Sequence, residues 1–209
     1  MSESRFDPTQ IEVVGGRLCL DFINTRANHL HDDAREYLAD YAELVRWACE
    51  CVAGIDARTA KRLQAQAKDD PNAAKRVFRA AMGLRDVLHG LFDAIAAGHA
   101  PKAADLTAFN ETLSNMLAHR RLVREADGIA WDWEETQDLS RLLWPIVASA
   151  ADVLTADDIA RIKRCPTDEG CGWLYYDDSK NASRRWCSMR TCGNTAKVRA
   201  HYRRQHAQK

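Results

Sequence analysis

The sequence predicts an α+β fold, in which a mainly helical N-terminal domain with one small β-hairpin precedes a small cysteine-containing module. Three observations predict it. Apolar residues recur at helical spacing through most of residues 1–154. The pair Asp127-Gly128 separates two short alternating stretches, as in a tight hairpin. Four cysteines then fall within residues 155–209, which we expect to form a second domain.

The helices of the first domain are predicted from their apolar period and their start and stop signals. Asp40 and Asp56 are expected to precede helices, Pro71 opens a long one, and Gly98 follows its end. Pro145 is expected to kink the last helix. The predicted helices cover about residues 41–51, 56 onward, 71–97, 106–119 and 136–153.

Residues 13–25 are ambiguous. Leu18, Leu20 and Phe22 alternate as in a strand, but Leu18, Phe22 and Ile23 also fit a helical stripe. The preceding Gly15-Gly16 pair lacks the G-x-G-x-x-G pattern and the lysine of a phosphate-binding loop. We therefore interpret the two glycines as a turn.

The predicted hairpin pairs residues 121–124 with residues 129–133 and places Trp131 and Trp133 on one face. Together with Phe92 and Phe109, these tryptophans have two interpretations. They line a small-molecule cavity, or they pack as core, which is the commoner role of aromatic pairs.

Charge is divided unevenly along the chain. The sequence carries 30 basic and 30 acidic residues, yet residues 156–209 hold twelve Lys or Arg against six Asp or Glu. From Lys180 to the end there are nine basic residues and no acidic one. This division indicates an anionic partner for the C-terminal domain, although the two halves also attract one another.

The cysteines of the second domain are spaced as two close pairs, C-x5-C and C-x4-C, with fifteen residues between them. Such pairs supply the four soft ligands of a tetrahedral structural zinc ion. We therefore predict Zn²⁺ bound by Cys165, Cys171, Cys187 and Cys192. Cys49 and Cys51 are one residue apart on a helix and are expected to be small core residues.

Disulfides are the alternative interpretation of these cysteines. Residues Met1 to Gln10 show no apolar stretch typical of an export signal, so we expect a cytoplasmic protein with reduced thiols. Seven cysteines also leave one unpaired in any full disulfide scheme. No apolar run reaches the roughly 18 residues that span a bilayer, so no membrane association is expected.

Around the cysteines we predict a loop at 165–171, a strand at 173–176, a turn-rich stretch, a second strand at 184–187 and a helix from Gly193. Thr155 is expected to cap a short connecting helix through Ile162. Val198 and Tyr202, four residues apart, are expected to face the metal. A knuckle, a hairpin and a helix in this order form a treble-clef arrangement.

The run Arg184 to Asn194, with Cys187, Cys192 and Gly193 inside it, resembles the CGNR zinc-finger family. The segment Leu20 to Thr25 after Gly15-Gly16 resembles the start of the ABATE domain that precedes this finger. The resemblance implies a bacterial stress-responsive transcription regulator with a DNA-binding finger whose four cysteines bind zinc. Thr195 stands where the family has its namesake arginine.

Nucleic-acid binding is the leading functional hypothesis, because clustered cations gain affinity from counterion release. RNA binding and docking of an acidic protein partner remain alternatives. An enzyme is not expected, since four cysteines close the zinc shell that catalysis needs open. The candidate nucleic-acid contacts are Lys180, Arg184, Arg185, Arg190, Lys197, Arg199, Arg203 and Arg204.

The first domain is expected to act as a sensor, with a possible small-molecule effector, or as a homo-oligomerisation platform. Its acidic balance and apolar stripes come without a recognisable catalytic cluster. His29 and His31 lie near Asp32 and Asp33, which a solvated loop explains better than a metal site.

Overall fold

A computed structural model describes residues 12–27, 35–166 and 171–206. The group of His29, His31, Asp32 and Asp33 lies outside the described residues. The fold is mainly helical with short antiparallel hairpins, as predicted. Its helices are α1 (Leu18–Ile23), α2 (Tyr41–Cys51), α3 (Ala57–Asp69), α4 (Pro71–Ala96), α5 (Ala103–Leu117), α6 (Trp144–Leu154) and α7 (Asn194–His206).

The strands form three antiparallel pairs. The largest is the predicted hairpin, in which Leu122 pairs with Trp131 and Arg120 with Trp133. The pairs are β1 (Arg26–Ala27) with β2 (Arg35–Glu36), β3 (Arg120–Glu125) with β4 (Gly128–Trp133), and β5 (Ile162–Arg164) with β6 (Leu174–Tyr176).

Three aspartates begin helices: Asp40 and Asp56, as predicted, and Asp70, which was not predicted. The carboxylates of Asp40, Asp56 and Asp70 accept the backbone N–H groups of Glu43, Thr59 and Ala73 at 2.9, 2.7 and 2.9 Å. Each bond satisfies a donor that a helix start leaves without an intrahelical partner. Pro71 occupies the first turn of α4, where its missing N–H costs nothing.

Two predicted features near the end of the helical domain differ in the structure. Pro145 does not kink a helix, because it lies in the first turn of α6 after a 3-10 turn at Leu139–Leu143. Thr155 ends α6 instead of capping a new helix, and its hydroxyl donates to the Ala151 carbonyl at 2.9 Å. The expected connecting helix is a 3-10 turn at Ile159–Arg161 that leads directly into β5.

The ambiguous N-terminal segment is helical. α1 is short, yet five of its six residues are buried, from Cys19 to Ile23. α4 and α6 both pack against it, so its residues do not alternate between buried and exposed as those of a strand do. Phe92 and Phe109 are core residues, whereas Trp131 is 60% exposed, so these aromatic side chains do not share a cavity.

An ion pair between the buried Arg85 and the exposed Glu36 connects α4 to β2. Arg85 of α4 is 1% exposed, and its guanidinium donates to the Thr25 hydroxyl at 2.9 Å and to the Glu36 carboxylate at 2.8 Å. Burial alone would raise the pKa of Glu36, but hydrogen bonds from Arg85 and from the Leu38 backbone lower it overall. The charge on Arg85 is thereby compensated inside the helical domain.

We call residues 12–154 the helical domain and residues 155–206 the zinc module; the division at Thr155 stays a prediction. The module is connected to the domain by direct hydrogen bonds to β6, and we call these contacts the joint. The Asn24 side chain donates to the Leu174 carbonyl at 2.8 Å and accepts the Leu174 N–H at 3.0 Å. The Tyr176 N–H donates to the Gly15 carbonyl at 2.8 Å.

Arg164 of β5 adds an ion pair with Asp93 of α4 at 2.8 Å. The zinc module is therefore connected to the helical domain through strands β5 and β6 and not through the expected connecting helix. Among the described helices, none is long and apolar enough to cross a membrane.

Candidate metal centre and basic surface

The four predicted ligands come together in one cluster. The sulfurs of Cys165, Cys171, Cys187 and Cys192 all lie within 4.8 Å of one another. The Cys187 sulfur lies 3.4 Å from that of Cys171 and 3.7 Å from that of Cys192. A tetrahedral zinc ion with bonds of about 2.3 Å separates its sulfurs by about 3.8 Å. The cluster therefore fits a structural Zn²⁺.

Four thiolates this close together repel one another unless a cation lies between them. The Cys165 sulfur accepts hydrogen bonds from Cys171, Cys187 and Cys192, which lowers its pKa below that of an ordinary thiol. The Cys187 thiol donates within the same group, which raises its pKa. A bound dication removes this difference between the pKa values of the cysteines, because all four sulfurs then bind it as thiolates.

Backbone contacts position cysteines of both pairs. Cys165 donates its N–H to the Trp173 carbonyl at 2.8 Å, which connects the first pair to the residue before β6. Beyond Cys187, the chain makes one π-helical turn at Met189–Gly193 that carries Cys192 into α7. A Cβ atom on Gly193 would lie 2.7 Å from the Met189 sulfur, so the turn is tight at this glycine.

The module's hairpin differs from the predicted one. We expected 173–176 to pair with 184–187, but β6 pairs with β5, with Ile162 opposite Tyr176 and Arg164 opposite Leu174. Residues 184–187 form no strand. The reason is the buried charge of Asp177. The loop from Asp177 to Arg184 wraps around the Lys163 side chain, so residues 184–187 do not pair with β6.

Asp177 organises this loop. It is 0% exposed, and its carboxylate bonds the Lys163 ammonium at 2.6 Å and the Arg184 backbone N–H at 2.9 Å. Burial would raise its pKa, but Lys163, Ser179 and the backbone donors lower it well below the usual range. A fully paired carboxylate stabilises the module where its small size leaves little apolar core.

The last helix differs from expectation in its orientation. Val198 and Tyr202 do not face the metal but are 54% and 57% exposed. Between Asn194 and Gln205 only Ala196 is buried. α7 therefore packs through its first turn and otherwise projects from the module.

Seven of the eight candidate basic residues are exposed: Lys180, Arg185, Arg190, Lys197, Arg199, Arg203 and Arg204. Arg184 is half-buried and acts inside the module. Its Nε donates to the Trp186 carbonyl at 2.9 Å, another of its N–H groups donates to the Cys187 carbonyl, and its guanidinium lies 4.8 Å from the centre of the Tyr175 ring. Arg184 thus holds the second cysteine loop.

Two other cations of this surface have intramolecular contacts. The Arg185 guanidinium lies 5.0 Å from the centre of the Trp186 ring. Arg190 pairs with Glu12 of the helical domain at 2.7 Å. Thr195, at the position of the family arginine, is exposed in the first turn of α7.

Sequence reasoning missed the residues that hold the module in place. Asn24 and Asp177 are 1% and 0% exposed, Lys163 bonds Asp177, and Glu12 bonds Arg190. A signal for Asn24 was present, since a polar residue directly after five core positions requires a buried partner. The partner, a backbone 150 residues away, is not visible in sequence.

A helical domain joined to a four-cysteine zinc finger is the class of protein that this fold and site define. Residues 16–157 match the ABATE family, described as "Putative stress-induced transcription regulator", and residues 161–205 match the CGNR zinc finger. The chain belongs to the ABATE family. No curated protein matches it.

Proposed function

We propose that this protein regulates transcription by binding duplex DNA through α7 and the adjoining basic surface of the zinc module. The proposal is supported by the two family matches, one described as "Putative stress-induced transcription regulator" and the other as a zinc finger. The observation that carries the proposal is α7 itself. It has one buried residue and projects four basic side chains with no acidic one: Lys197, Arg199, Arg203 and Arg204.

A helix that packs so little of its surface against its own protein is expected to be covered by a partner. Arg199 and Arg203 lie one helical turn apart, so both reach the same stretch of phosphate backbone. Val198 and Tyr202 lie beside them and are exposed apolar groups. Such groups suit thymine methyls and sugar edges in a groove that an α-helix enters.

The zinc ion has a structural role in this proposal. It fixes the π-helical turn from which α7 starts, and the Arg184 contacts fix the loop before that turn. We assign Arg184 to positioning within the candidate surface and the exposed cations to phosphate. The helical domain, with its own core, then serves as the sensor or oligomerisation unit.

The test is binding of zinc-loaded, full-length protein to fragmented bacterial genomic DNA across salt concentration. In the Arg199→Ala, Arg203→Ala variant we expect weaker binding to all duplexes and a salt slope lower by about two, since each lost phosphate contact removes about one unit. The matched control is Arg76→Ala, Arg79→Ala, which removes two exposed arginines from one face of α4.

Equal affinity and slope in the α7 variant, with zinc retained, would exclude these residues from the contact surface. Wild-type affinity that does not respond to salt would instead favour an acidic protein partner. Tighter binding to single-stranded RNA than to duplex would favour RNA.

A further inference from the structure

A cleft of about 460 Å³ lies between α6, the base of the β3–β4 hairpin and the end of β6. Its volume falls in the range of small-molecule sites, about 300–1,000 Å³. It is built from distant parts of the chain: Arg17 from the loop before α1, Arg120 and Trp133 from the hairpin, and Tyr176 from the zinc module. The cleft therefore borders the joint.

Two guanidinium groups line this cleft and both are held by aromatic rings. That of Arg17 lies 3.6 Å from the centre of the Tyr176 ring, and that of Arg120 lies 4.5 Å from the centre of the Trp131 ring. Stacking fixes the plane of each guanidinium. One N–H group of Arg17 donates to the Gly16 carbonyl at 2.7 Å, and the remaining N–H groups can bind a planar carboxylate. Among the described residues, no carboxylate lies within ion-pair distance of either group.

Two carboxylates line the same cleft. Asp152 comes from α6, and Asp158 comes from the turn after it and accepts the Tyr176 hydroxyl. In the described part of the chain neither carboxylate is in an ion pair, so they lie beyond ion-pair distance of Arg17 and Arg120. The cleft thus holds charges of both signs that do not neutralise each other directly.

Part of the remaining lining of the cleft is apolar. The Trp133 ring, Pro145 and Val153 contribute to it, and Val153 is 7% exposed. A ligand that pairs with both signs of charge must itself carry both, and its remaining surface must be apolar to cover these side chains.

We propose that this cleft binds a zwitterionic small molecule of the α-amino-acid class with an apolar side chain. Its carboxylate meets Arg17 and Arg120, its ammonium group meets Asp152 and Asp158, and its side chain lies on Trp133. The ligand is then in contact with Tyr176, whose N–H bonds the Gly15 carbonyl across the joint. Occupancy therefore stabilises the contact between the helical domain and the zinc module.

Calorimetry on zinc-loaded, full-length protein tests this with three compounds of one shape. L-Phenylalanine carries both charges, 3-phenylpropionate lacks the ammonium group, and phenethylamine lacks the carboxylate. We expect L-phenylalanine to bind or, in a parallel titration, L-leucine. Each singly charged analogue of L-phenylalanine should bind at least about tenfold more weakly, because it loses one charged hydrogen-bonded pair.

Arg120→Gln should weaken amino-acid binding by about tenfold or more. The matched control is Arg121→Gln, which removes a neighbouring arginine on the opposite face of β3, where it pairs with Asp132 at 3.4 Å. Zinc content and melting temperature of both variants report whether they fold. Binding is measured without DNA, so a failure here is independent of the DNA-binding function.

Three results would overturn the proposal: no heat with either amino acid at millimolar concentration, equal binding of all three phenyl compounds, or equal losses in the Arg120 and Arg121 variants.

Discussion

In the helical domain, α1 is buried along nearly its whole length and α4 presents a continuous row of buried side chains to its neighbours. In the zinc module, the buried set is a few aromatic and aliphatic residues, two of the four cysteines and one carboxylate, Asp177. The domain is stabilised by apolar area and the module by metal bonds and charge pairs. The module can therefore leave α7 exposed, because its fold does not depend on burying that helix.

The largest expected effect comes from breaking the metal centre. Cys165→Ser leaves three thiolates and a buried hydroxyl, and small modules lose roughly 10 kcal/mol or more when zinc binding is lost. We expect zinc release and unfolding of the module, whereas the helical domain keeps its helical circular dichroism and melts separately. The matched control is Cys49→Ser, a half-buried cysteine outside the cluster, which should retain one zinc per chain.

Elemental analysis of protein purified without chelator measures the metal directly. A zinc-free wild-type protein with a folded module would contradict the assignment of the centre.

A smaller loss is expected at the joint. Asn24→Ala removes both hydrogen bonds to the Leu174 backbone and leaves a buried N–H and a buried carbonyl unpaired, which costs about 2–4 kcal/mol. Asn110→Ala, at an exposed position of α5, is the control and should change stability by less than about 0.5 kcal/mol. Urea unfolding of both variants, with zinc bound, gives the comparison. Similar midpoints for the two variants would mean that the joint contributes little.

Asp21 allows the same region to be tested by pH. Burial raises its pKa to about 6, although hydrogen bonds from Gly15 and Val14 oppose the shift. A group whose pKa is raised by folding stabilises the protein below its unfolded pKa, 3.8, and this contribution is lost as pH rises through about 6. Two pKa units correspond to about 3 kcal/mol.

We therefore expect the free energy of unfolding of the wild type, minus that of Asp21→Asn, to fall by up to about 3 kcal/mol between pH 4 and pH 7. Taking the difference removes effects that both proteins share, including protonation of the zinc thiolates. A difference that stays constant with pH would show that Asp21 is not perturbed by folding.

The sequence was most informative where local chemistry decides the structure. The caps at Asp40 and Asp56, the Asp127-Gly128 hairpin and the four clustered cysteines follow from residue type and spacing alone. It was least informative where contacts with residues distant in the sequence decide the structure. Residues 184–187 looked like a strand, but Asp177 and Lys163 draw that stretch into a loop.

The exposure of Val198 and Tyr202 has the same origin. Their four-residue spacing is that of a packed helix face, yet both side chains are more than half exposed in the folded module. Spacing identifies which residues share a face, but only the assembled fold shows whether anything covers that face.

The smallest expected effect concerns Glu12. This acidic residue of the helical domain pairs with Arg190, a candidate phosphate-binding residue of the zinc module. Its carboxylate pairs with Arg190 at 2.7 Å and accepts the Thr191 hydroxyl at 3.1 Å, although the Arg190 side chain is 82% exposed. The Glu12 carboxylate therefore competes with phosphate for the Arg190 guanidinium.

Glu12→Gln removes that competition. Exposed ion pairs contribute about 0.2–1 kcal/mol, so we expect DNA affinity to rise about two- to fivefold and the salt slope to increase by about one. Asp132→Asn changes net charge equally at the Arg121 pair on the hairpin, away from α7, and should leave the slope unchanged. If both variants raise affinity alike, the gain reflects net charge, and Arg190 lies outside the contact surface.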